Sequence, residues 1–287
     1  MATAAGQSHK AFWIPMAWFG ALVLVCYAPV LKALVLNWHA NPDMGHGFFV
    51  PVIAGFIVWQ RREELLSLKP RPCWWGLPVV IFGSMLVIVA TLGVEVFLGR
   101  AAFVVTVIGI VWLLGGTLVL KKVGFPLFLL FFMIPIPEIV YNRVTFPLQI
   151  VASQFAETVL SALGVPVLRE GNVLELPSQR LSVVEACSGI RSLLSLTFLS
   201  LVYAYFFEKR KAVRVLLFLA TIPIAIVANG SRVTLTGIIS QVKPELAEGF
   251  FHESTGWVIF MLALLILILF HQVVRRVLNR FSPAGTG

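Results

Sequence analysis

The sequence predicts an all-α polytopic membrane protein of about eight transmembrane helices, with a small outer-face β-hairpin and an amphipathic helix before the sixth span. Three observations carry that reading. Hydrophobic residues make up 59% of the 287-residue chain and charged residues 12%, roughly half the charged share of a soluble domain, so a water-soluble globular fold is excluded. Apolar stretches of about 18 to 20 residues recur along the chain, each long enough to cross a hydrocarbon core about 30 Å thick at 1.5 Å per residue. The bases behind the net charge of +9 sit in short clusters between those stretches, where they act as topology signals; no nucleic-acid partner is expected.

Taken in order, the first span is expected near 12–36. It follows a polar segment, Met1 to Lys10, and continues without a small-residue cleavage site, so it reads as a retained span. Further spans are expected near 47–60, 75–94, 101–120, 124–141, 188–207, 212–228 and 255–274. Pro135 and Pro137 should break the end of the fifth, because proline lacks the N–H an interior turn needs. Gly115 and Gly116 fall inside the fourth, where helix packing accounts for them. Between the fifth and sixth spans lies the longest non-spanning stretch, 142–187. Its first part spaces Phe146, Ile150, Val151, Phe155, Val159 and Leu163 as an amphipathic helix at a membrane interface does. In its second part, runs at 165–168, 173–176 and 181–184 surround the turn residues Glu170, Gly171 and Asn172, the pattern of a hairpin or three-stranded cap.

Charge sets the expected orientation. One set of alternate loops collects 14 bases against three acids, and the other holds eight bases and 10 acids, giving net charges of +11 and −2. The basic side is the cytoplasmic one. Both termini are therefore expected in the cytoplasm, with 142–187 on the outer face and short tails at 1–11 and 275–287 around a single domain spanning 1–287.

Three cysteines, Cys26, Cys73 and Cys187, are too scattered for a disulfide framework or a metal site, and neither metal nor cofactor is expected. Cys187 falls where the outer loop becomes the sixth span. Free N–H groups at a helix start, and Arg191 four residues on, favour a thiolate there; a buried structural cysteine, the expected state of Cys26, is the alternative. Asn229 and Arg232 lie three apart at the outer end of the seventh span, where Arg232 either snorkels to the interface or offers its donors to a developing oxyanion. At the mouth of the eighth span, His252 is either a polar boundary residue or a proton carrier, and Gly256 one turn later permits close helix approach. Cys187, Arg232 and His252 come from three spans and share one expected depth, which suits an acyl-transfer site assembled from helix ends. Around them, Glu185 can orient an arginine, Ser188 can shape the helix start, Asn229 can hydrogen-bond His252 or a substrate backbone, and His46 offers an outer-face polar contact between two glycines. Each of these is equally a residue that only satisfies local hydrogen bonds.

Four motifs in combination, GHGFFVP at 45–51, EACSGIRSL at 185–193, NGSR at 229–232 and HESTG at 252–256, give the chain a resemblance to the exosortase and archaeosortase family of membrane cysteine transpeptidases. The resemblance runs from about 12 to 275. It implies a nucleophile at Cys187 with Arg232 and His252 completing a sortase-like triad, on a fold unrelated to sortases. Substrates implied by it carry a C-terminal sorting signal of the PEP-CTERM type: a short motif such as Pro-Glu-Pro, one transmembrane helix and a basic tail. The implied reaction forms a thioester that passes to an acceptor not written in the sequence, and the implied location is a bacterial inner membrane, among its lipids, with the site on the outer face. The competing class is a transporter or export component for polysaccharide or lipid-linked substrates, with Arg191, Arg232 and His252 lining a polar path. Against it, these groups gather near one surface and not at midplane.

Overall fold

The computed structural model describes residues 2–183, 189–242 and 249–281. Its contacts divide the chain into two compact units, Met1–Pro137 and Glu138–Gly287.

The first unit is helical. Helices α1 (Ala2–Cys26) and α2 (Ala28–Ala40) occupy the expected first span, but as a pair bent by 68° at Tyr27. Tyr27 is 4% exposed, and its hydroxyl meets Thr106 Oγ1 at 2.7 Å. Cys26, beside the bend, is exposed and not buried as expected: the turn at Tyr27 points its neighbour outward. A 3-10 helix, Pro42–Phe48, opens with the Asn41 side chain accepting from the Asp43 N–H at 2.9 Å. Then come α3 (Phe49–Gln60), α4 (Arg62–Ser67), α5 (Gly76–Leu92) and α6 (Val96–Leu129), the last capped by the Glu95 carboxylate accepting from the Leu98 N–H at 2.8 Å.

In α6 the chain departs from expectation. It stays helical through Lys121 and Lys122, where the loop between the fourth and fifth spans was expected, and breaks instead at Gly116, with φ 76° and ψ −179°. A Cβ at Gly116 would overlap the Arg71 carbonyl oxygen, so both the backbone conformation and the space exclude a side chain. That glycine marks a break and not a packing seam, and Lys122, within the helix, forms an ion pair with Glu64. The 3-10 turn Leu130–Met133 then gives way to a non-helical stretch through Pro137, the interruption that Pro135 and Pro137 predict.

Eight spans are not reproduced. Among the described residues three helices are long and apolar enough to cross a membrane, Val96–Met133, Lys211–Gln241 and Ser254–Arg280, or four when the bent pair counts as one; Gly76–Leu92 and Leu193–Phe207 are apolar but shorter. Hydropathy windows count apolar runs, whereas breaks such as Gly116 and helix lengths such as the 12 residues of α3 are set by backbone geometry. A multi-pass helical membrane protein stands; the count of eight is not confirmed by these helices.

The second unit comprises α7 (Glu138–Ala162), strands β1 (Leu168–Glu170), β2 (Val173–Glu175) and β3 (Arg180–Ser182), and helices α8 (Gly189–Phe207), α9 (Lys211–Val242) and α10 (Gly249–Phe281). The expected amphipathic helix is α7. Phe146 and Val151 of the expected apolar stripe are exposed, as is Leu163 just past the helix end, while Thr145, Gln149, Ala152, Ser153, Ala156 and Leu160 form the stripe that faces protein. The side that packs is thus made mostly of small and polar residues, while the exposed side mixes apolar residues with Asn142, Arg143, Gln154 and Thr158. The expected cap is a three-stranded antiparallel sheet in the order β1-β2-β3, turning at Gly171 with φ 64°. Leu174, Leu176, Leu181 and Val183 of the cap pack with Ala152, Ala156 and Leu160 of α7 and Val233 of α9. Polar staples fix it further: Ser153 donates to the Gly171 carbonyl at 3.0 Å, Asn172 to Gln149 Oε1 at 3.0 Å, and Arg169 to Glu157 at 2.7 Å.

Candidate functional site

Helix α9 carries the NGSR motif in its interior. The seventh span was expected to end near 228, but the helix continues to Val242. It can continue because residues 229–240 are polar on the side that packs: Asn229, Arg232, Thr234, Thr236 and Ser240 are buried, while Leu235 is exposed. The helix also fits closely against α7, since a Cβ at Gly230 would stand 2.5 Å from the Phe155 ring.

Arg232 is 9% exposed, so of the two expectations for it, snorkelling to water does not describe its position. Its guanidinium lies against Gly256 of α10: a Cβ there would stand 3.0 Å from Cζ and Nη2 and 3.3 Å from Nε. The close helix approach expected of Gly256 is thus an approach to Arg232 itself. His252 is four residues earlier in the same helix, about one turn away. The NGSR and HESTG motifs, more than 20 residues apart in sequence, are brought together at the level of their helices. The side chain of His252 lies outside the described residues.

Asn229, 6% exposed, lies one turn before Arg232 on α9. With Leu148 of α7, Leu193 of α8, and Ala225 and Ile226 of α9 it lines a small cleft. Leu193 is in the second turn of α8, so this cleft adjoins the helix start that the sequence reading assigned to the cysteine motif. Cys187, Glu185 and Ser188 fall outside the described residues, as does the Arg191 side chain, although the Arg191 backbone belongs to the first turn of α8. The cap leads directly into that segment: β3 ends at Ser182, and the Val183 N–H donates to the Asn172 carbonyl at 3.0 Å.

His46 belongs to the first unit. Its Nε2 is 3.1 Å from the Phe132 carbonyl oxygen, and burial pushes the imidazole below its ordinary pKa against the opposing bonds to the Phe132 and Asp43 backbone. The glycine beside it also has a packing reason, since a Cβ on Gly47 would meet the Trp38 indole at 2.5 Å.

Sequence reasoning missed a buried cluster at the other end of the second unit. Tyr203 Oη is 2.9 Å from His271 Nδ1, and His271 Nε2 is 3.1 Å from Glu208 Oε2. A neutral imidazole meets both bonds by donating from Nε2 and accepting at Nδ1. Glu208 also accepts from the Arg210 N–H at 2.7 Å, and Arg214 Nε donates to the Glu208 carbonyl at 2.7 Å. Burial acts to raise the Glu208 carboxyl, but the bonds from Arg210 N–H, His271 and Lys209 N–H outweigh it and hold the pKa below the ordinary value. The only signal in the sequence was two ionisable groups at the ends of apolar runs; their pairing, 63 residues apart, is invisible to spacing.

A profile of the transmembrane exosortase family matches residues 38–269. No curated protein and no solved structure matches the chain. The matched stretch covers most of both units and contains the buried Arg232, the glycine seated on its guanidinium and the start of α8, and on that match the chain belongs to the transmembrane exosortase family.

Proposed function

We propose that this protein is a membrane cysteine transpeptidase that cleaves C-terminal sorting signals at the outer face of a bacterial inner membrane and transfers the processed protein to an acceptor. The observation that carries the reading is the seating of the HESTG glycine, Gly256, on the guanidinium of Arg232. A cation that cannot be neutralised, enclosed between helices one turn from a histidine position, suits stabilisation of an oxyanion next to a proton carrier.

In this reading the Cys187 thiolate attacks the carbonyl carbon of a peptide bond at the sorting motif. Negative charge then develops on that carbonyl oxygen and is met by Arg232. His252 gives a proton to the departing amine of the C-terminal peptide as the C–N bond breaks, leaving a thioester on Cys187. An acceptor nucleophile closes the cycle by displacing the thiolate. Helix length supports the proposed level of the site. Arg232 is 21 residues after Lys211, about 30 Å of helix, so it stands roughly one hydrocarbon thickness from the basic cluster Lys209, Arg210, Lys211 and Arg214. Bases of that density favour the cytoplasmic side, which supports an outer-face level for Arg232.

The test is co-expression with a reporter ending in a Pro-Glu-Pro type motif, a transmembrane helix and a basic tail, with the new C-terminus read by mass spectrometry. Wild type is expected to yield a reporter cut at the motif and carrying an added group. Cys187→Ala, Arg232→Ala and His252→Ala, checked for membrane insertion, are expected to leave it uncut. Processing by Cys187→Ala at the wild-type rate would remove the nucleophile assignment and the reading with it.

A further inference from the structure

The cap carries a strand edge whose main-chain groups are not used. Leu176 N–H donates to the Gln179 carbonyl and Val183 N–H to the Asn172 carbonyl, both at 3.0 Å. Bonded pairs alternate along an antiparallel ladder, so Leu174 and Leu181, opposed in the same register, are the bonded pair between those two. Arg180 and Ser182 fall at the alternate positions. Their N–H and C=O groups therefore point away from β2, to the outer edge of the sheet, and make no hydrogen bond among the described residues. Such an edge is a template for another strand. Its place in the second unit is fixed by α9. Leu181 and Val183 belong to one buried cluster with Val233, the residue after Arg232; a Cβ at Gly237 would stand 3.5 Å from Leu176 Cδ1; and Gln241 donates to Ser178 Oγ at 2.6 Å. β3 is thus tied to the stretch of α9 that follows Arg232, and along the chain Ser182 is five residues before Cys187, at most about 18 Å. On the exposed face Arg180 stands 3.5 Å from Glu175 and 3.8 Å from Glu170, with its side chain 65% exposed. Exposed pairs of this kind contribute little, so a row that reads Glu175 then Arg180 ends at the edge in a cation free to meet an acid on a further strand.

We propose that the extended segment of the substrate that carries the sorting motif pairs with β3 as a fourth, antiparallel strand, with the acidic residue of the motif opposite Arg180. This rests on the function proposed above and specifies how that site reads its substrate. In an antiparallel bonded pair the two opposed residues exchange both bonds. The acidic residue then donates its N–H to the Arg180 carbonyl and accepts from the Arg180 N–H, and its side chain emerges on the face that carries the guanidinium. The residues on either side of it turn their nitrogens away from β3, so proline, which has no N–H to lose, fits at both. A Pro-Glu-Pro motif has one residue with an N–H, and it is the one this register needs. Main-chain bonds supply affinity and the opposed charge supplies the choice of residue, as in other complexes formed by strand addition.

The experiment uses the full-length protein in lipid nanodiscs and a synthetic peptide carrying a Pro-Glu-Pro motif, the transmembrane segment and the basic tail. Cleavage is measured for wild type and Arg180→Glu, each with that peptide and with one whose motif is Pro-Lys-Pro. Each single change is expected to lower kcat/KM about tenfold, and the two together to restore it to within about threefold of the wild-type value. Binding to the Cys187→Ala protein is measured with the Pro-Glu-Pro peptide and with the same peptide methylated on the glutamate nitrogen, which is expected to raise Kd about tenfold. A merely structural role of Arg180 would lower cleavage of both peptides alike, without rescue, and would overturn the placement of the acid opposite it. Rescue without an effect of methylation would reduce the contact to side chains and overturn the added strand. In both cases wild type still cuts the Pro-Glu-Pro peptide and the proposed function stands; failure of inserted wild type to cut it would overturn both. Should Arg180→Glu fail to fold, the methylated peptide decides the matter, equal binding of the two peptides overturning the strand.

Discussion

The two ends of α9 set their buried polar groups in different surroundings. Where the helix begins, Glu208, His271, Tyr203 and Arg214 are joined in a network in which the carboxylate, both imidazole nitrogens and the guanidinium Nε have partners. About 30 Å along the helix, Asn229 faces a cleft and Arg232 lies over a residue that has no side chain. A polar cluster whose bonds close on themselves ties α8, α9 and α10 together and has nothing left for a substrate. On the function proposed above, substitutions at the two ends of the helix should separate stability from activity.

The strongest break in this comparison is Arg232→Ala. Removing an oxyanion donor costs about 10²–10³ in rate, so sorting-signal cleavage by inserted protein should fall by about that factor, with the thermal midpoint in detergent little changed. If the midpoint collapses and the cleavage rate per folded molecule does not, Arg232 belongs with the structural end. Next comes Gly256→Val. A side chain there displaces the guanidinium, and misplacement by about 1 Å costs about 10² in rate; Gly256→Ala should lie between wild type and Val, and equal rates in all three would separate Gly256 from the site.

At the other end the expected effect changes kind. His271→Ala should lower stability by about 2 kcal/mol, the order of a hydrogen bond to a charged group, while cleavage by the folded fraction is unaltered; a rate loss without a stability loss would reverse the assignment. The smallest effect is that of pH. The folded-state pKa of Glu208 is depressed, so its contribution is fully present above the ordinary carboxylate pKa and is lost as pH falls through the lower folded value. Melting followed from neutral to acid should therefore show wild type losing part of its margin only below the ordinary carboxylate range. Glu208→Gln should lack that part of the acid dependence, and identical acid profiles would mean the carboxylate is not held in its charged form.

Parts of this architecture were legible because they are local. The break at Pro135 and Pro137 needs only the missing N–H, the three-stranded cap only alternation and the turn at Gly171, and the start of α8 only the boundary between a polar loop and an apolar run. The motifs that point to Cys187, Arg232 and His252 were legible as chemistry for the same reason, since each is a short string. What misled was treating polarity as a sign of a helix end. Residues 229–240 look like a departure from the membrane, yet they continue α9 because their polar side chains are buried against protein, and Lys121 and Lys122 likewise lie inside α6 and not in a loop. Arg100 of α6 is a related case, buried at 8% exposure where charge counting had treated it as one more loop residue.

By itself the sequence determined the solvent: a chain with mean hydropathy of +0.94 and long apolar runs is a membrane protein whatever its tertiary structure, because transfer of those runs out of water dominates every other term. It also determined which side chains are chemically able to act. Only the tertiary structure decided which of them meet. That Gly256 lies on Arg232, that Asn229 opens to a cleft while His271 is closed by Tyr203 and Glu208, and that the inner face of α7 is its small and polar one are outcomes of helix packing. Packing depends on shape complementarity between segments far apart in the chain, and no local pattern of residues encodes the partner that a face will find.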